Sequence, residues 1–315
     1  MSKSIKKLWG KYGTIGILGI IVAAIGIICP QYFLTAKNLT QVALQSSINI
    51  LIACGEFFTI LIAGIDLSVG SMVGLTSMIT GQMLAAGLPI FLSILLGGIL
   101  LGALLGYING SLINMTGLHP FIITLGTQAI FRGVTMIISD ARSVHGFPKE
   151  FMKSIAGSVL FIPIPVIITL FVAVLLAVMS GKTVFGRNLY ALGGNKESAW
   201  FAGIDIKTHT LLTFIITGVC CGIAGVVMAA RLGASEPSAG TGFETYAIAA
   251  AIIGGTSFFG GKGRIFGVVI GGLIIGVISN GLNILNVSTF YQQVVMGSLI
   301  IAAVFLDKIF GSKIK

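Results

Sequence analysis

The sequence predicts an all-α, polytopic membrane protein with about ten transmembrane helices, some of them broken or re-entrant. Three observations support this prediction. Of the 315 residues, 56% are hydrophobic and only 9% are charged, whereas the surface of a soluble domain needs roughly a quarter of its residues charged. The apolar residues also occur in runs of about 20, the length that crosses a bilayer as a helix. We therefore expect a single membrane domain over residues 1–315.

The N-terminal apolar run follows four lysines and looks at first like a secretory signal peptide. The run from Thr14 to Leu34 is too long for the core of a signal peptide, and it has no clear cleavage site of small residues. We interpret it as a retained first span. The same length rule applied to the rest of the chain predicts spans at 13–34, 43–64, 67–87, 89–110, 119–139, 162–180, 209–230, 244–260, 265–285 and 290–307.

The basic residues predict the orientation of these spans. If the N-terminus is cytoplasmic, ten crossings make the C-terminus cytoplasmic too. Thirteen of the 19 Lys and Arg residues then lie in cytoplasmic segments, as the positive-inside rule requires. The net charge of +10 is thereby explained without nucleic acid, because the charges lie between apolar spans and not along one exposed face. We expect a multi-pass protein of the cytoplasmic (inner) membrane.

Several glycines recur at four-residue spacing within the predicted spans. Small residues at this spacing let two helix backbones approach closely in a membrane. We interpret them as helix-packing faces. They are Gly98, Gly102 and Gly106, Gly267 with Gly271, and Gly272 with Gly276.

The largest polar segment between two spans is 181–210, which carries six of the 28 charged residues. We predict that Asn195 caps a two-turn helix over 196–202 and that Gly203 ends it. This segment is predicted to be cytoplasmic, and its helix is predicted to dock a cytoplasmic partner. The helix would present three apolar side chains, Trp200, Phe201 and Ile204.

Two further polar segments, 140–161 and 231–244, are predicted as outer loops. Each charge in them, taken alone, is typical of a solvated turn. Two charged loops on the same side of a membrane protein nevertheless indicate a docking face for an external partner.

Catalytic and metal-binding motifs are absent from the sequence. The segment 254–264 (GGTSFFGGKGR) resembles a phosphate loop, but Lys262 is followed by Gly263 instead of Ser or Thr, and the segment joins two spans. No Cys or His set has metal-ligand spacing, and all four cysteines lie in apolar spans. We expect no catalytic residue, no metal and no cofactor in this chain, which is therefore not an enzyme by itself.

Acidic residues within spans are few, although such residues are expensive and mark ion pathways. Glu56 lies in the second span, where it is either a proton or cation carrier or a neutral carboxyl bonded to a neighbouring helix. Asp66 and Ser68 lie between two glycines and are expected to cap the third span, in a break that is buried in protein or lines a cavity. An ion-coupled secondary transporter and a membrane-embedded scaffold or sensor are the alternatives that these residues leave open.

Eight sequence blocks, in order from about residue 40 onward, closely resemble the permease subunit of sugar ABC importers, specifically of the ribose type. The blocks are GIDLSVGS (64–71), FRGVTM (131–136), GRNLYALGGN (186–195), GI (203–204), ARL (230–232), PSAGTGFE (237–244), AIAAAIIGGTSFFGGKGRIFG (247–267) and NGLNILNVSTFYQ (280–292).

The resemblance implies a homodimer in membrane lipid, joined to cytoplasmic ATPase subunits that bind ATP and Mg and served by a periplasmic or lipid-anchored sugar-binding protein. Segment 181–210 is then the ATPase coupling loop, and the outer loops face the binding protein. The implied cargo is ribose or a related monosaccharide; inositol and autoinducer sugars are alternatives that similar permeases carry. The residues expected to form the coupling loop are Gly186, Arg187, Asn188, Gly193, Gly194, Asn195, Glu197, Trp200, Phe201, Gly203 and Ile204.

A pathway for a neutral sugar needs hydrogen-bond donors and acceptors without a tight charged clamp. Asp66, Ser68, Asn280 and Asn283 are the candidates for lining it. Asn280 and Asn283 are three residues apart and so share a helix face. Interhelical hydrogen bonds are the equally weighted alternative for this pair.

Overall fold

The computed structural model describes residues 3–311, and the side chains of residues 13–305, 307 and 308. Lys313 and Lys315, which contribute to the predicted cytoplasmic charge, lie outside the described residues. The helices are α1 (Lys3–Ile28), α2 (Ala36–Leu61), α3 (Val69–Ala85), α4 (Ile90–Leu92), α5 (Leu101–Thr116), α6 (Pro120–Ser139), α7 (Lys149–Ala156), α8 (Ile164–Lys182), α9 (Val184–Gly194), α10 (Lys196–Phe201), α11 (Ile206–Leu232), α12 (Phe243–Ile253), α13 (Ile265–Ile284) and α14 (Thr289–Gly311).

A π-helical stretch, Ser93–Leu100, joins α4 to α5, so that Ile90–Thr116 is one continuous helix. The strands are two residues each: β1 (Val144–His145), β2 (Ser158–Val159), β3 (Ile162–Pro163) and β4 (Ala234–Ser235).

Among the described residues, six helices are long and apolar enough to cross a membrane, and three shorter helices are also apolar. The chain is therefore a helical, multi-pass membrane protein. Each of the ten predicted spans overlaps one of these nine helices or α3. α12 ends at Ile253, seven residues before the predicted end of its span. The six are Ala36–Leu61, Ile90–Thr116, Pro120–Ser139, Ile164–Lys182, Ile206–Leu232 and Ile265–Ile284.

The packing of α11 against the continuous helix Ile90–Thr116 depends on glycine, as the four-residue spacing predicted. A β-carbon at Gly102 would collide with the carbonyl of Gly218, and one at Gly106 would collide with the carbonyl of Phe214. The two backbones are therefore in direct contact, which only glycine permits. α2 and α3 enclose the other side of α11 and complete the core, where Phe57, Met72 and their neighbours are fully buried.

The packing of α13 confirms the second glycine prediction. Gly267 and Gly271 meet the backbone of α12 at Gly254 and Ala250, whereas Gly272 and Gly276 meet side chains of α2. α13 is thus held between α2 and α12 from Gly267 to Gly276.

Replacing Gly218 by Leu tests this packing. The leucine side chain has no space against the Gly102 carbonyl, and we expect a loss of folding stability of about 3 kcal/mol, since overpacking against side chains alone costs about 1–3 kcal/mol. The measurement is the thermal unfolding midpoint of the protein in detergent. Gly126→Leu is the matched control, because Gly126 is exposed on α6 and a β-carbon there would have no atom within 4 Å. An equal loss in both variants would contradict the packing role.

The segment that joins α11 to α12 differs from the exposed outer loop expected at 231–244. Gly233, at a φ of +64°, ends α11. The chain then runs along α3: the Ser235 hydroxyl donates to the Ser77 carbonyl at 2.7 Å, and Gly240 lies against Gly70. Five of the eight residues of 233–240 are buried: Ala234, Ser235, Pro237, Ala239 and Gly240.

Arg132 on α6 supplies the hydrogen-bond donors that this unwound backbone needs. Its Nη1 donates to the carbonyls of Pro237 and Ala239, both at 2.7 Å. Irregular backbone inside a membrane protein is tolerated only where such partners satisfy it. The expectation of a solvated loop was wrong for 233–240, because a distant arginine allows a turn-rich segment to enter the helix bundle.

The other predicted outer loop, 140–161, packs on the start of this buried segment. β1 pairs antiparallel with β4, with Val144 opposite Ser235 and His145 opposite Ala234. α7 covers the end of α11 with the fully buried Phe151. The two segments that sequence analysis treated as separate loops are therefore joined by a small sheet.

Candidate functional site

The polar segment 181–210 folds into the two short helices α9 and α10. The Thr183 hydroxyl accepts from the Gly186 amide at 3.1 Å and caps α9. Gly186 is buried against the end of α8. The position requires glycine, because a β-carbon there would collide with the carbonyl of Ser180. Leu189 and Leu192 are buried on the same side of α9.

The predicted capping of α10 is confirmed, although the helix ends at Phe201, one residue earlier than expected. The Asn195 side chain accepts from the Ser198 amide at 2.8 Å. At the other end, the Gly203 amide donates to the Trp200 carbonyl at 2.9 Å and the Ile204 amide donates to the Ala199 carbonyl at 3.1 Å. With Gly203 at a φ of +80°, these bonds form a Schellman motif.

The outer face of α10 is apolar and exposed. Trp200 is 62% exposed and Phe201 74%, and their ring centroids are 5.0 Å apart. Ile204, the third residue of the predicted contact surface, is only partly exposed. Large aromatic side chains in a polar loop that project together into solvent are typical of a docking site.

The inner face of this segment is fixed to two other parts of the chain. A β-carbon at Gly193 would collide with the Leu61 carbonyl at the end of α2, and the Gly261 amide donates to that same carbonyl at 2.9 Å. The Tyr190 hydroxyl donates to the Gly263 carbonyl at 2.9 Å, and burial raises the pKa of this phenol. α9, the α2–α3 connection and the segment 254–264 therefore form one unit.

A second fixed point ties α9 to α11. The Asn188 amide lies 3.0 Å from Nε2 of His209, and Phe185 stacks on the imidazole with the ring centroids 5.5 Å apart. Asn188 and Gly193 thus face the chain's own membrane helices. The predicted coupling residues that are exposed are Arg187, Gly194, Asn195, Glu197, Trp200, Phe201 and Gly203.

A cleft of about 1010 Å³ lies beside α10. One wall is α10 with Trp200 and Lys196, and the other is the turn between α5 and α6, with Leu118 and His119. Its floor is the connection after α2, at Ile62. Trp200, one member of the exposed aromatic pair, therefore lies at the edge of an open cleft and not on a flat surface.

The break between α2 and α3 is organised by a buried polar network. Asp66 Oδ1 accepts from the Ser68 hydroxyl at 2.6 Å and from the Ser68 amide at 2.9 Å. Asn109 on α5 donates to the Ser68 hydroxyl at 2.8 Å, and Glu56 Oε1 accepts from the Asp66 amide at 3.0 Å. Ser68 is the N-cap of α3, but its side chain makes no capping bond, so Asp66 and Ser68 hold the break and do not cap the helix as predicted.

The asparagines expected near the pathway also form internal hydrogen bonds. Asn38 and Asn280 bond reciprocally, at 3.0 and 2.8 Å, and join α2 to α13. Asn283 accepts from Gln292 of α14 at 2.8 Å. These are the interhelical hydrogen bonds that sequence analysis kept as the alternative for this pair.

Two polar features of the structure were not predicted from the sequence. One is the bond of Arg132 to the unwound segment. The other is a cavity between α2, α11, α12, α13 and α14 that Gln45, Asn49 and Arg231 line. No local signal indicates either feature, because each is assembled from residues far apart in the sequence.

The chain matches the family model described as "Branched-chain amino acid transport system / permease component" over residues 38–304. It is 63% identical to the D-allose transport system permease protein AlsC of Escherichia coli (strain K12), over 96% of this chain and 92% of that protein. It is 42% identical to the ribose import permease protein RbsC of Bacillus subtilis (strain 168), over 92% of this chain and 90% of that one.

A third relative is the L-arabinose transport system permease protein AraH of Escherichia coli (strain K12), 33% identical over 98% of this chain and 93% of that protein. No solved structure gives a significant match. The family match covers most of the chain and the relatives match it nearly end to end. The chain therefore belongs to the family of branched-chain amino acid transport system permease components, among members that carry sugars.

Proposed function

We propose that this chain is the membrane subunit of an ATP-driven importer that passes a monosaccharide across the cytoplasmic membrane. The observation that carries the mechanism is the capped helix α10, which presents Trp200 and Phe201 beside an open cleft. The relatives named for D-allose, ribose and L-arabinose transport support a monosaccharide as cargo. D-allose is the first sugar to test, because its permease is 63% identical to this chain.

The proposed assembly contains two copies of this chain, each a single membrane domain with ten crossings and both termini in the cytoplasm. Thirteen of the 19 basic residues lie in segments that this arrangement makes cytoplasmic. A cytoplasmic ATPase binds ATP and Mg and hydrolyses the ATP, and an extracytoplasmic binding protein delivers the sugar. This chain supplies the pathway and no catalytic group.

Segment 181–210 is the proposed coupling loop, and its exposed and inner faces have different roles. The exposed residues, with Trp200 and Phe201 at the centre, contact the ATPase. The residues of the inner face transmit the movement of the ATPase to the membrane helices that they contact. Gly186 contacts α8, Asn188 contacts α11 and Gly193 contacts α2. A movement at α10 therefore reaches several membrane helices through close backbone contacts.

Pathway lining by Asp66, Ser68, Asn280 and Asn283 stays a prediction. In this conformation Asp66 and Ser68 are fully buried, and all four side chains are engaged in hydrogen bonds within the chain. They would face a sugar only in a conformation where those bonds are exchanged.

The proposed face for the binding protein is the segment 140–161, with its exposed apolar tip. β2 and β3 form a hairpin whose turn residues, Leu160 and Phe161, both have positive φ. Phe161 is 97% exposed. A bulky side chain in a left-handed turn is conformationally costly, and an apolar ring held in this position suits a protein contact.

Phe161→Asp tests this face. We expect at least a tenfold loss of affinity between the importer and its sugar-loaded binding protein, because an anchoring aromatic contact is replaced by a charge. The measurement is binding of the labelled binding protein to the importer in nanodiscs. Retention of the ATPase is the internal control, since the hairpin and α10 are on the segments predicted to face opposite sides. Unchanged binding-protein affinity would contradict the proposed contact.

Transport by purified components tests the proposed function itself. The chain is reconstituted in proteoliposomes with its ATPase, its binding protein and internal or external ATP, and uptake of D-allose, ribose, L-arabinose and inositol is compared. We expect uptake of one monosaccharide that requires both partners and ATP. Accumulation by this chain alone, driven by a proton or sodium gradient, would establish the ion-coupled alternative instead.

A further inference from the structure

A polar cavity of about 130 Å³ lies between five helices of the bundle, apart from the surfaces proposed for the two protein partners. α2 contributes Gln45 and Asn49, and α11 contributes Arg231 at its C-terminal end. The remaining polar and aromatic lining comes from α12, α13 and α14, with Phe243, Tyr246, Ser279 and Gln292.

Most of these polar side chains have free hydrogen-bonding groups. Among the described residues, no side-chain hydrogen bond involves Gln45, Asn49, Arg231, Tyr246 or Ser279, whereas Gln292 bonds Asn283 and the Val287 carbonyl. Asn49 is only 8% exposed and Ser279 only 7%. None of their polar atoms is among the described buried atoms that lack a partner, so these amides and hydroxyls are accessible from the cavity and free to bond a molecule that enters it.

The chemistry of the lining matches the hydroxyls of a neutral sugar. The two amides and the two hydroxyls each donate and accept, and the guanidinium of Arg231 only donates. No carboxylate lines the cavity, so it has nothing to attract a cation. The rings of Phe243 and Tyr246, with centroids 6.4 Å apart, add an apolar wall. A mostly apolar wall with a few convergent polar groups is typical of small-molecule sites.

The position of the cavity fits the entry side of a pathway. Arg231 and Leu232 end α11, and β4 follows two residues later and pairs with β1 of segment 140–161. The cavity therefore lies beside the surface on which the binding protein is proposed to release its sugar. Its volume equals about four water molecules at their liquid volume, so it holds one edge of a sugar ring and leaves the rest free.

We propose that this cavity is a transient, low-affinity subsite for the transported monosaccharide, with Gln45, Asn49 and Ser279 binding its hydroxyls. The inference rests on the proposed function. Partial enclosure suits this role, because a conduit must release its cargo.

Leucine substitutions on α2 test the subsite. In the complete importer with its ATPase and binding protein, Gln45→Leu and Asn49→Leu are each expected to lower the uptake rate of the transported sugar about tenfold, while ATPase and binding-protein retention stay at wild-type levels. Gln41→Leu is the matched control: it is the same residue type one turn earlier on α2, exposed and outside the cavity. Tyr246→Phe removes only a hydroxyl from the cavity. Its uptake rate is a second test of the subsite if a leucine variant fails to assemble.

Thiol labelling provides a direct measure of occupancy. The four native cysteines are buried, so little background labelling is expected. Ser279→Cys then places one reactive thiol at the cavity. We expect a small thiol reagent to modify this cysteine, and a high concentration of the transported sugar to slow the modification at least threefold. A sugar that is not transported is the control.

The outcomes separate the two proposals. Absence of uptake of every monosaccharide by the wild-type importer would refute the proposed function, and the subsite with it. Normal wild-type uptake combined with unchanged uptake in Gln45→Leu, Asn49→Leu and Tyr246→Phe, or with no sugar protection at Ser279→Cys, would refute the subsite alone.

Discussion

Trp200→Asp is expected to abolish sugar uptake, with a loss of at least a hundredfold, while the protein stays folded in the membrane. Trp200 is the larger member of the exposed aromatic pair, and α10 presents it next to the cleft. Central aromatic residues of an interface contribute about 2–4 kcal/mol or more on truncation. A carboxylate in the same place adds a desolvation cost. The folded state is not expected to suffer, because the side chain is mostly in solvent and the caps of α10 involve Asn195 and Gly203.

The measurement combines uptake with retention of the ATPase after mild detergent extraction. Trp200→Phe is the conservative control and should keep most of the uptake, since it retains an apolar ring. Binding of the extracytoplasmic binding protein should be unchanged in both variants. Wild-type uptake in Trp200→Asp would remove the docking role from α10, and lost insertion would show that the residue serves the fold.

Arg132→Leu is expected to destabilise the protein by about 3 kcal/mol or more. The substitution removes the two hydrogen bonds from Nη1 to the Pro237 and Ala239 carbonyls. Hydrogen bonds from a charged donor contribute about 1.5–3 kcal/mol each. Among the described residues no other donor bonds either carbonyl, so the segment 233–240 should leave its position along α3.

Thermal unfolding in detergent and proteolysis of segment 233–240 measure this effect. Arg142→Leu is the matched control, because the Arg142 side chain is exposed and is paired with the equally exposed Asp140, at 3.4 Å. Exposed pairs contribute at most about 1 kcal/mol. Equal unfolding midpoints in Arg132→Leu and the wild type would show that the unwound segment is held by other contacts.

The features that the sequence predicted depend on neighbours along the chain. Apolar length alone placed the helices, because backbone groups in lipid have to be satisfied within a helix. The end signals of α10 were readable because Asn195 and Gly203 act on amides and carbonyls within a few residues. The glycine faces were readable because four-residue spacing is itself the packing signal.

The features that the sequence did not predict depend on distant partners. Segment 233–240 has the composition of a loop, and Arg132, the residue that lets it enter the bundle, precedes Pro237 by 105 positions. The polar cavity takes its lining from five helices between Gln45 and Gln292. The residues of 186–204 were predicted together as the coupling loop, and the sequence did not show which of them face the membrane domain. Contacts with Leu61, Gly261 and His209 divide the segment into an inner face and an exposed face.

The two caps of α10 have a consequence for how force is transmitted. A six-residue helix is not stable by itself in water, because its few backbone hydrogen bonds do not offset the free energy of helix nucleation. Here Asn195 and the Gly203 motif hold its ends, and Gly193 anchors the preceding turn against Leu61. A partner that docks on α10, as proposed, would therefore meet a preformed helix, and none of its binding energy would be spent on ordering a flexible segment. In the proposed assembly, a displacement of the helix would move the membrane domain as a rigid body, without being absorbed by local bending.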